Sequence, residues 1–249
     1  MNTITQRSAP TVVFVPGLLS DSSVWRPLAN AIGDKMPAYF ADQTQSDSLK
    51  GMAESFLAGT EGELVCVGHS MGGRVCMEAA RLAPKRILGL VLADTGYDSP
   101  GEGERAKRQA VIDLGHRSMP LLVDKWLPPM VHEPRRTDAN LMSGLRNMAL
   151  AYDAETHERQ IRALLDRPDA GAYLNAIHCP VLLITGRHDA WSPVQQHEEM
   201  AAQLPDSEFR IIEDAGHFAP LEQPEQVAEI VVEWLDRRIR PQAKNQWSG

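Results

Sequence analysis

Four stretches of this chain are apolar almost without a break: TVVFV (11–15), ELVCVG (63–68), ILGLVLAD (87–94) and PVLLITG (180–186). A strand with one wet face alternates apolar and polar residues, and these do not alternate. They fit strands covered on both faces, the condition of a parallel sheet between two layers of helices. AYFAD (38–42) and EFRIIED (208–214) are weaker candidates of the same kind. Helical patterns fall between the runs. VWRPLANAI (24–32) follows the first. SDSLKGMAESFLAG (46–59) offers Ser46 or Asp47 as an N-cap. MGGRVCMEAARLA (71–83) ends before Pro84. SPVQQHEEMAAQL (192–204) opens with serine and proline, a helix-start signal. PEQVAEIVVEWLDRRI (224–239) starts with proline and carries arginines in its last turn, where the helix dipole favours them. This alternation predicts an α/β fold with a doubly wound, mostly parallel sheet of about six strands.

One segment breaks the rhythm. Residues 97–177 contain no convincing strand, are helical in pattern, and carry prolines at 100, 120, 128, 129, 134 and 168. A connection of that length inside a compact sheet domain is expected to form structure of its own. We therefore expect a core made of residues 1–96 and 178–249, with 97–177 as an inserted helical cap. Ligands of such sheets bind outside the carboxyl ends of the strands. A lobe rooted after a strand would roof that site.

Composition excludes more than it selects. With 33 acidic against 25 basic residues the net charge is −8, which disfavours a nucleic-acid or anionic-membrane binder. No run approaches the length of a membrane helix, and MNTITQRSAP at the start lacks the apolar core of a signal peptide. The three cysteines, Cys66, Cys76 and Cys179, lack metal-site spacing and read as reduced, small apolar residues. The expected location is the cytoplasm. The polar end, PQAKNQWSG (241–249), makes little structural demand.

The chemistry is concentrated at VGHSMGG (67–73). Ser70 sits between Gly68 and Gly72, directly after the strongest strand and before a helix. A serine in G-x-S-x-G at a strand-to-helix turn is held with strained backbone angles and an exposed hydroxyl. A hydroxyl is a poor nucleophile until a base takes its proton. His217, in DAGHFAPLEQPE (214–225), lies between the last strand and the last helix, at the same sheet end as Ser70. His69 reads as structural and His188 as an outer neighbour at most. His116, His132, His157, His178 and His197 read as packing or surface residues. The base needs an acid that fixes its tautomer. Asp189, in LLITGRHDAWSP (182–193), is in another carboxyl-end loop, and that Gly-rich loop can bring it under the histidine. Asp94, one strand nearer the serine, is the rival; its alternative role is to bond the turn through Thr95 and Gly96.

These blocks, GHSMGG, GRHDAWSP and AGHFAPLEQPE, in the order Ser, Asp, His, resemble the α/β-hydrolases over roughly residues 11–240, in the branch of small esterases, lactonases and C–C hydrolases. The resemblance implies Asp189 as the acid and His217 as the base. It also implies an oxyanion hole from the backbone N–H groups of Leu18 and Met71. Many relatives carry His-Gly after the first strand; here the loop reads FVPGLLSDSSVW (14–25), with Pro16 in place of that histidine and Gly17 retained. Backbone donors do not depend on side-chain identity, so the hole can survive the change. Only ten residues precede TVVFV, so the leading hairpin of longer relatives is expected to be absent. Trp25, Trp126, Trp191 and Phe218 are candidate walls of an apolar substrate pocket. Met119, Met130, Met142 and Met148 lie in the lobe and serve packing first. Arg135 and Arg136 read as a solvated basic pair. The implied function is a serine hydrolase of a small, largely apolar carboxylic ester or lactone. It would work through an acyl-Ser70 intermediate, with no metal and no organic cofactor. The alternatives are a C–C hydrolase, lyase or cofactor-free oxygenase on the same triad, or a non-catalytic ligand receptor.

Overall fold

The computed structural model describes residues 9–240. The polar segment 241–249 and the first eight residues lie outside the described range. Six strands form one sheet: β1 (Thr11–Val15), β2 (Ala38–Phe40), β3 (Leu64–His69), β4 (Ile87–Ala93), β5 (Val181–Gly186) and β6 (Ser207–Ile212). Their spatial order is β2-β1-β3-β4-β5-β6, and every neighbouring pair is parallel. From β1, next to one edge, the chain steps outward to β2, then crosses back to β3 and winds to β6.

The unbroken apolar runs are explained by two cores. On one face Val12, Phe14, Val65, Val67, Val91, Leu182 and Ile184 pack against α1 (Arg26–Ile32) and α10 (Pro224–Arg238), through Leu28, Val231, Trp234 and Leu235. On the other face Val13, Val15, Cys66, Leu90, Leu92 and Leu183 pack against α2 (Leu49–Ala58), α3 (Met71–Leu82) and α8 (Val194–Gln203), through Met52, Phe56, Val75 and Met200. Each fully buried Val, Leu or Phe contributes about 1.5–3 kcal/mol. The two faces therefore supply the main driving force for this sheet. The strands with weak sequence signals, β2 and β6, are the sheet edges: β2 is only three residues long, and β6 carries Ser207, Glu208 and Arg210 at partly or fully exposed positions. Cys66 and Cys76 are buried, Cys179 is half-buried, and all three are free thiols.

Element boundaries differ from expectation in three places. Ser48, rather than Ser46 or Asp47, caps α2: its side chain accepts the Gly51 N–H at 3.1 Å. Residues Ser22–Trp25 form a tighter 3₁₀ turn, so the regular helix starts only at Arg26-Pro27. α8 starts at Val194 with Pro193 as its N-cap, and Ser192 belongs to the Asp189 loop, where its N–H donates to Asp189. A short helix, α9 (Ala219–Glu222), precedes α10.

Between β4 and β5 the described chain has no strand. It forms α4 (Glu104–Arg117), α5 (Met119–Trp126), α6 (Ala139–Leu150) and α7 (Ala154–Leu165), joined by short 3₁₀ turns. Ser118, Asp138 and Asp153 cap α5, α6 and α7 by accepting backbone N–H groups of the first turn. Ile112, Leu122, Leu145 and Ile161 of these helices join the same apolar cluster as the α1/α10 face. Among the described residues no helix is long and apolar enough to cross a membrane.

Candidate active site

Ser70 is the junction between β3 and α3, with φ 55° and ψ −118°. For a residue with a side chain this geometry costs of order 1–3 kcal/mol and persists only if the surroundings hold it. Three bonds hold it here. The Ser70 N–H donates to the Ala93 carbonyl of the next strand (2.9 Å), and the Ser70 carbonyl accepts from Gly73 N–H (3.0 Å) and Thr95 Oγ (2.6 Å). The flanking glycines are needed for close approach. A Cβ on Gly68 would lie 2.4 Å from the Gly72 carbonyl oxygen, and one on Gly72 would lie 2.2 Å from the Val15 carbonyl oxygen.

The structure brings three of the candidate residues into one chain of hydrogen bonds. Asp189, in the loop after β5, accepts at Oδ2 from His217 Nδ1–H at 2.8 Å. A carboxylate can only accept, so the proton sits on Nδ1 and leaves Nε2 as acceptor. Ser70 Oγ–H donates to that Nε2 at 2.8 Å. The other Asp189 oxygen accepts the N–H groups of Trp191 (2.8 Å) and Ser192 (3.0 Å). Burial works to raise the Asp189 pKa. The charge and hydrogen bond of His217, with those two N–H groups, outweigh it and hold the carboxyl below its usual range.

The His217 loop is fixed from several directions. Its N–H donates to the Met130 carbonyl at 2.7 Å, and its carbonyl accepts from His69 Nε2–H at 2.7 Å. Glu222, 1% exposed, accepts the N–H groups of Gly216 (3.0 Å), Phe218 (3.2 Å) and, from the helical segment, His132 (2.9 Å). His69 is thus a support for His217, as its sequence context predicts. Burial first, and the neighbouring His217 second, push its pKa down to about 3, so it stays neutral.

Asp94 stands apart from this relay. It is fully buried, and its Oδ1 accepts the Gly186 N–H on the neighbouring strand at 2.9 Å. The turn role expected through Thr95 and Gly96 is corrected: the carboxyl crosses to Gly186, and Thr95 N–H donates to His197 Nε2 instead. Burial, then the charge of Asp189, pushes the Asp94 pKa well up. His188 bonds none of the three residues through its ring; it stacks on His132 at 4.0 Å between ring centroids.

Leu18 and Met71 both border the space above Ser70. Among the described residues neither backbone N–H donates to any group, although Met71 opens α3 and its amide lies at the positive end of the helix dipole. The loop bearing Leu18 is secured by groups the sequence reading passed over. Gln160 of α7, fully buried, accepts the Leu19 N–H at 2.9 Å and donates to the Gln43 carbonyl at 3.2 Å. Tyr152 donates to the Ser20 carbonyl at 2.8 Å. These bonds hold the loop that follows Pro16 and Gly17. A lone glutamine mid-helix carries no motif, so only the fold reveals it.

A cavity of about 440 Å³ opens over Ser70 and His217 and extends under the helical segment. Trp126, Trp191 and Phe218 line it; Trp191 remains 49% exposed. Trp25 does not, which corrects its expected place. It is fully buried, packs near Phe14 and His69, and donates its indole N–H to the Val15 carbonyl at 3.2 Å. Val111, Met130, Ile161 and Leu164 close the cavity from the helical side. Arg74, Lys107, Arg108 and Arg167 also line it, whereas Arg135 and Arg136 do not. Among the described residues no group of His, Cys, Asp and Glu forms a metal cluster.

Comparison with known proteins gives a consistent result. The model of the alpha/beta hydrolase family matches residues 12–230. A pimeloyl-[acyl-carrier protein] methyl ester esterase of Aromatoleum aromaticum is 26% identical over 79% of this chain and 83% of the relative. A 2-hydroxy-6-oxononadienedioate/2-hydroxy-6-oxononatrienedioate hydrolase of Paraburkholderia phymatum is 30% identical over 68% of this chain and 61% of that relative. Among solved structures, a thermophilic esterase from Thermogutta terrifontis, described with malate bound, superposes with a TM-score of 0.84. It is 28% identical, over 92% of this chain and 90% of that one.

Proposed function

The chain belongs to the alpha/beta hydrolase family, and on that premise we propose that it cleaves a carboxylic ester or lactone through an acyl-Ser70 intermediate. The observation that carries this reading is the Asp189–His217–Ser70 relay, with both bonds at 2.8 Å and the serine facing a cavity. Ser70 Oγ attacks the substrate carbonyl while His217 Nε2 takes its proton. Asp189 keeps the imidazole in the right tautomer and offsets the imidazolium charge. The oxyanion accepts hydrogen bonds from the N–H groups of Leu18 and Met71. His217 then returns the proton to the leaving alkoxide. Water, deprotonated by His217, attacks the acyl carbon, and the acid leaves with Ser70 restored. Residues 97–177 act as a cap that shapes the acyl site, with Trp126, Trp191 and Phe218 against the substrate. The relative named for pimeloyl methyl ester cleavage and the esterase neighbour support an ester as the scissile group.

The relative named as a dienedioate hydrolase favours a second reading, in which the same relay cleaves a C–C bond next to a ketone. Initial rates with p-nitrophenyl acetate, butyrate and octanoate, for the wild type and Ser70→Ala, separate the two. Ester turnover that disappears in the variant supports the first reading. Turnover restricted to vinylogous diketo acids supports the second.

A further inference from the structure

The cavity is not uniform. Leu18, Met71, Phe218, Trp126 and Met130 give it apolar walls. The rest of the lining includes a cationic arm: Arg74, Lys107, Arg108 and Arg167, with two carboxylates, Asp98 and Glu104. Hydrogen bonds tie Arg74, Arg108 and Arg167 to Asp98 and Glu104, and Gly96 lies against the Arg74 guanidinium. A local surplus of two positive charges (four minus two) faces a cavity in a chain whose net charge is −8. The surplus therefore runs against the chain's overall charge.

The question is whether the cations are all used by the fold. Arg167 is. It is 7% exposed and uses all five N–H groups, on the carbonyls of Asp98, Ser99 and Leu164 and on both oxygens of Glu104. It is a strut between the helical segment and the loop after β4. The Arg167 hydrogen bonds, followed by those of Arg108, hold the Glu104 pKa down to about 2, so this carboxylate is charged and already engaged. The other three cations have donors left over. Arg108 bonds Glu104 through Nε at 2.6 Å, and its two terminal nitrogens bond nothing among the described residues. Arg74 uses one N–H on the Asp98 carbonyl (2.8 Å) and one on its carboxylate (3.2 Å), leaving Nε and its remaining hydrogens. The Lys107 ammonium has no partner among the described residues. Asp98 is shared further, since Gln196 donates to it at 3.0 Å.

Arg74 is also close to the chemistry. It lies in the first turn of α3, four positions after Ser70, and both residues line the cavity. Its side chain is only 13% exposed, and burial, followed by the Arg167 charge, brings its pKa down to about 10. A cation so crowded gains from an added anion. Arginine forks with free N–H pairs match carboxylate and phosphate oxygens in two-point bonds.

From this geometry we propose that the cavity takes acyl groups ending in an anion, a carboxylate or a phosphate, held by Arg74, Lys107 and Arg108 while the scissile carbonyl lies at Ser70. The substrate is thus amphipathic: an apolar chain beside Phe218 and Trp126, with a charged far end. This rests on the hydrolase reading for the bond that is cut, but not for the binding of the anion.

The test compares p-nitrophenyl hemi-esters of glutaric, adipic and pimelic acids with the same compounds methylated at the far carboxyl. p-Nitrophenyl 6-phosphonooxyhexanoate serves as the phosphate arm. We expect at least one anionic ester to exceed its neutral counterpart at least tenfold in kcat/KM. Whether a carboxylate or the phosphate leads identifies the source. In the double variant Lys107→Gln/Arg108→Gln the ratio of anionic to neutral falls toward one, and in the wild type it shrinks as salt is raised. A wild-type ratio of one or less for every pair overturns the proposal, and so does a ratio that the double variant leaves unchanged. Calorimetry on Ser70→Ala with monomethyl adipate and dimethyl adipate separates binding from chemistry. Preferential binding of the monoanion that depends on Lys107 and Arg108 sustains the subsite even if no ester is cleaved. Equal or absent binding of both, with no anionic preference in turnover, removes the subsite and leaves the hydrolase reading standing or falling on Ser70 alone.

Discussion

Replacing Asp189 by asparagine tests the relay with almost no change of shape. In the protein, Asp189 Oδ1 accepts two backbone N–H groups at 2.8 and 3.0 Å, and Oδ2 accepts the His217 Nδ1–H at 2.8 Å. An asparagine must put its carbonyl oxygen on the two backbone donors, because its NH2 there would set donors against donors. The NH2 then faces His217 and donates to Nδ1, so the imidazole proton moves to Nε2. That nitrogen points at Ser70 Oγ from 2.8 Å and can no longer accept its proton. The wrong tautomer costs about 10⁴ in kcat in a comparable triad, equivalent to about 5.4 kcal/mol of barrier at 1.36 kcal/mol per tenfold. We expect the same order here, with the thermal midpoint nearly unchanged because the buried hydrogen-bond count is conserved. The assay is kcat for p-nitrophenyl butyrate across neutral pH, alongside calorimetric unfolding. Asp94→Asn is the control: Asp94 stands outside the relay, and an amide oxygen can accept the Gly186 N–H in its place, so this variant keeps most of its activity. An Asp189→Asn enzyme with more than a tenth of wild-type kcat would refute the tautomer argument. An inactive Asp94→Asn beside it would transfer the acid role to Asp94.

Three further predictions concern stability. Gly144 lies inside α6 with open space where a Cβ would go, so Gly144→Ala should stabilise the protein by about 1 kcal/mol in denaturant unfolding. Gly72→Ala drives a Cβ to 2.2 Å from a backbone oxygen and should cost about 3 kcal/mol, the upper range for overpacking. If the two behave alike, the close-packed elbow is wrong. Burial lowers the pKa of His69 to about 3 and of His157 and His197 to about 4. Above pH 6.5 they are neutral in both states. Below it the unfolded chain binds protons that the folded protein refuses, so stability falls with falling pH. Unfolding free energy at pH 5.5 should be lower than at pH 7.5 by about 1.4 kcal/mol for each of the three. Equal values would show that these histidines are solvated or charged in the fold.

The sheet was legible because parallel strands covered on both faces must be apolar throughout, and β1, β3, β4 and β5 have no wet side. β2 was fainter because it is only three residues long, and β6 because this edge strand keeps Ser207, Glu208 and Arg210 toward solvent. Ser70, Asp189 and His217 stand out in the sequence because each lies within three residues of a glycine, just past the end of an apolar run. Their meeting is a long-range event that no local pattern encodes. The aromatic at position 25 misled because proximity in sequence to the oxyanion loop says nothing about which side of the backbone a ring takes; Trp25 turned into the core. Gln160, Tyr152 and Glu222 escaped because their partners lie far away in sequence or are backbone groups. The cationic arm escaped for a similar reason. Arg74, Arg108 and Arg167 come from separate segments and converge only when the helical segment folds over the sheet.

The central claim is that Ser70 is the nucleophile. The most direct measurement is peptide mass mapping of the protein after reaction with a fluorophosphonate, run beside the Ser70→Ala variant. One adduct is expected, on the peptide containing Ser70, absent from the variant and accompanied by complete loss of ester turnover. An adduct on another residue, or an unlabelled Ser70 in a protein that still hydrolyses esters, would contradict it.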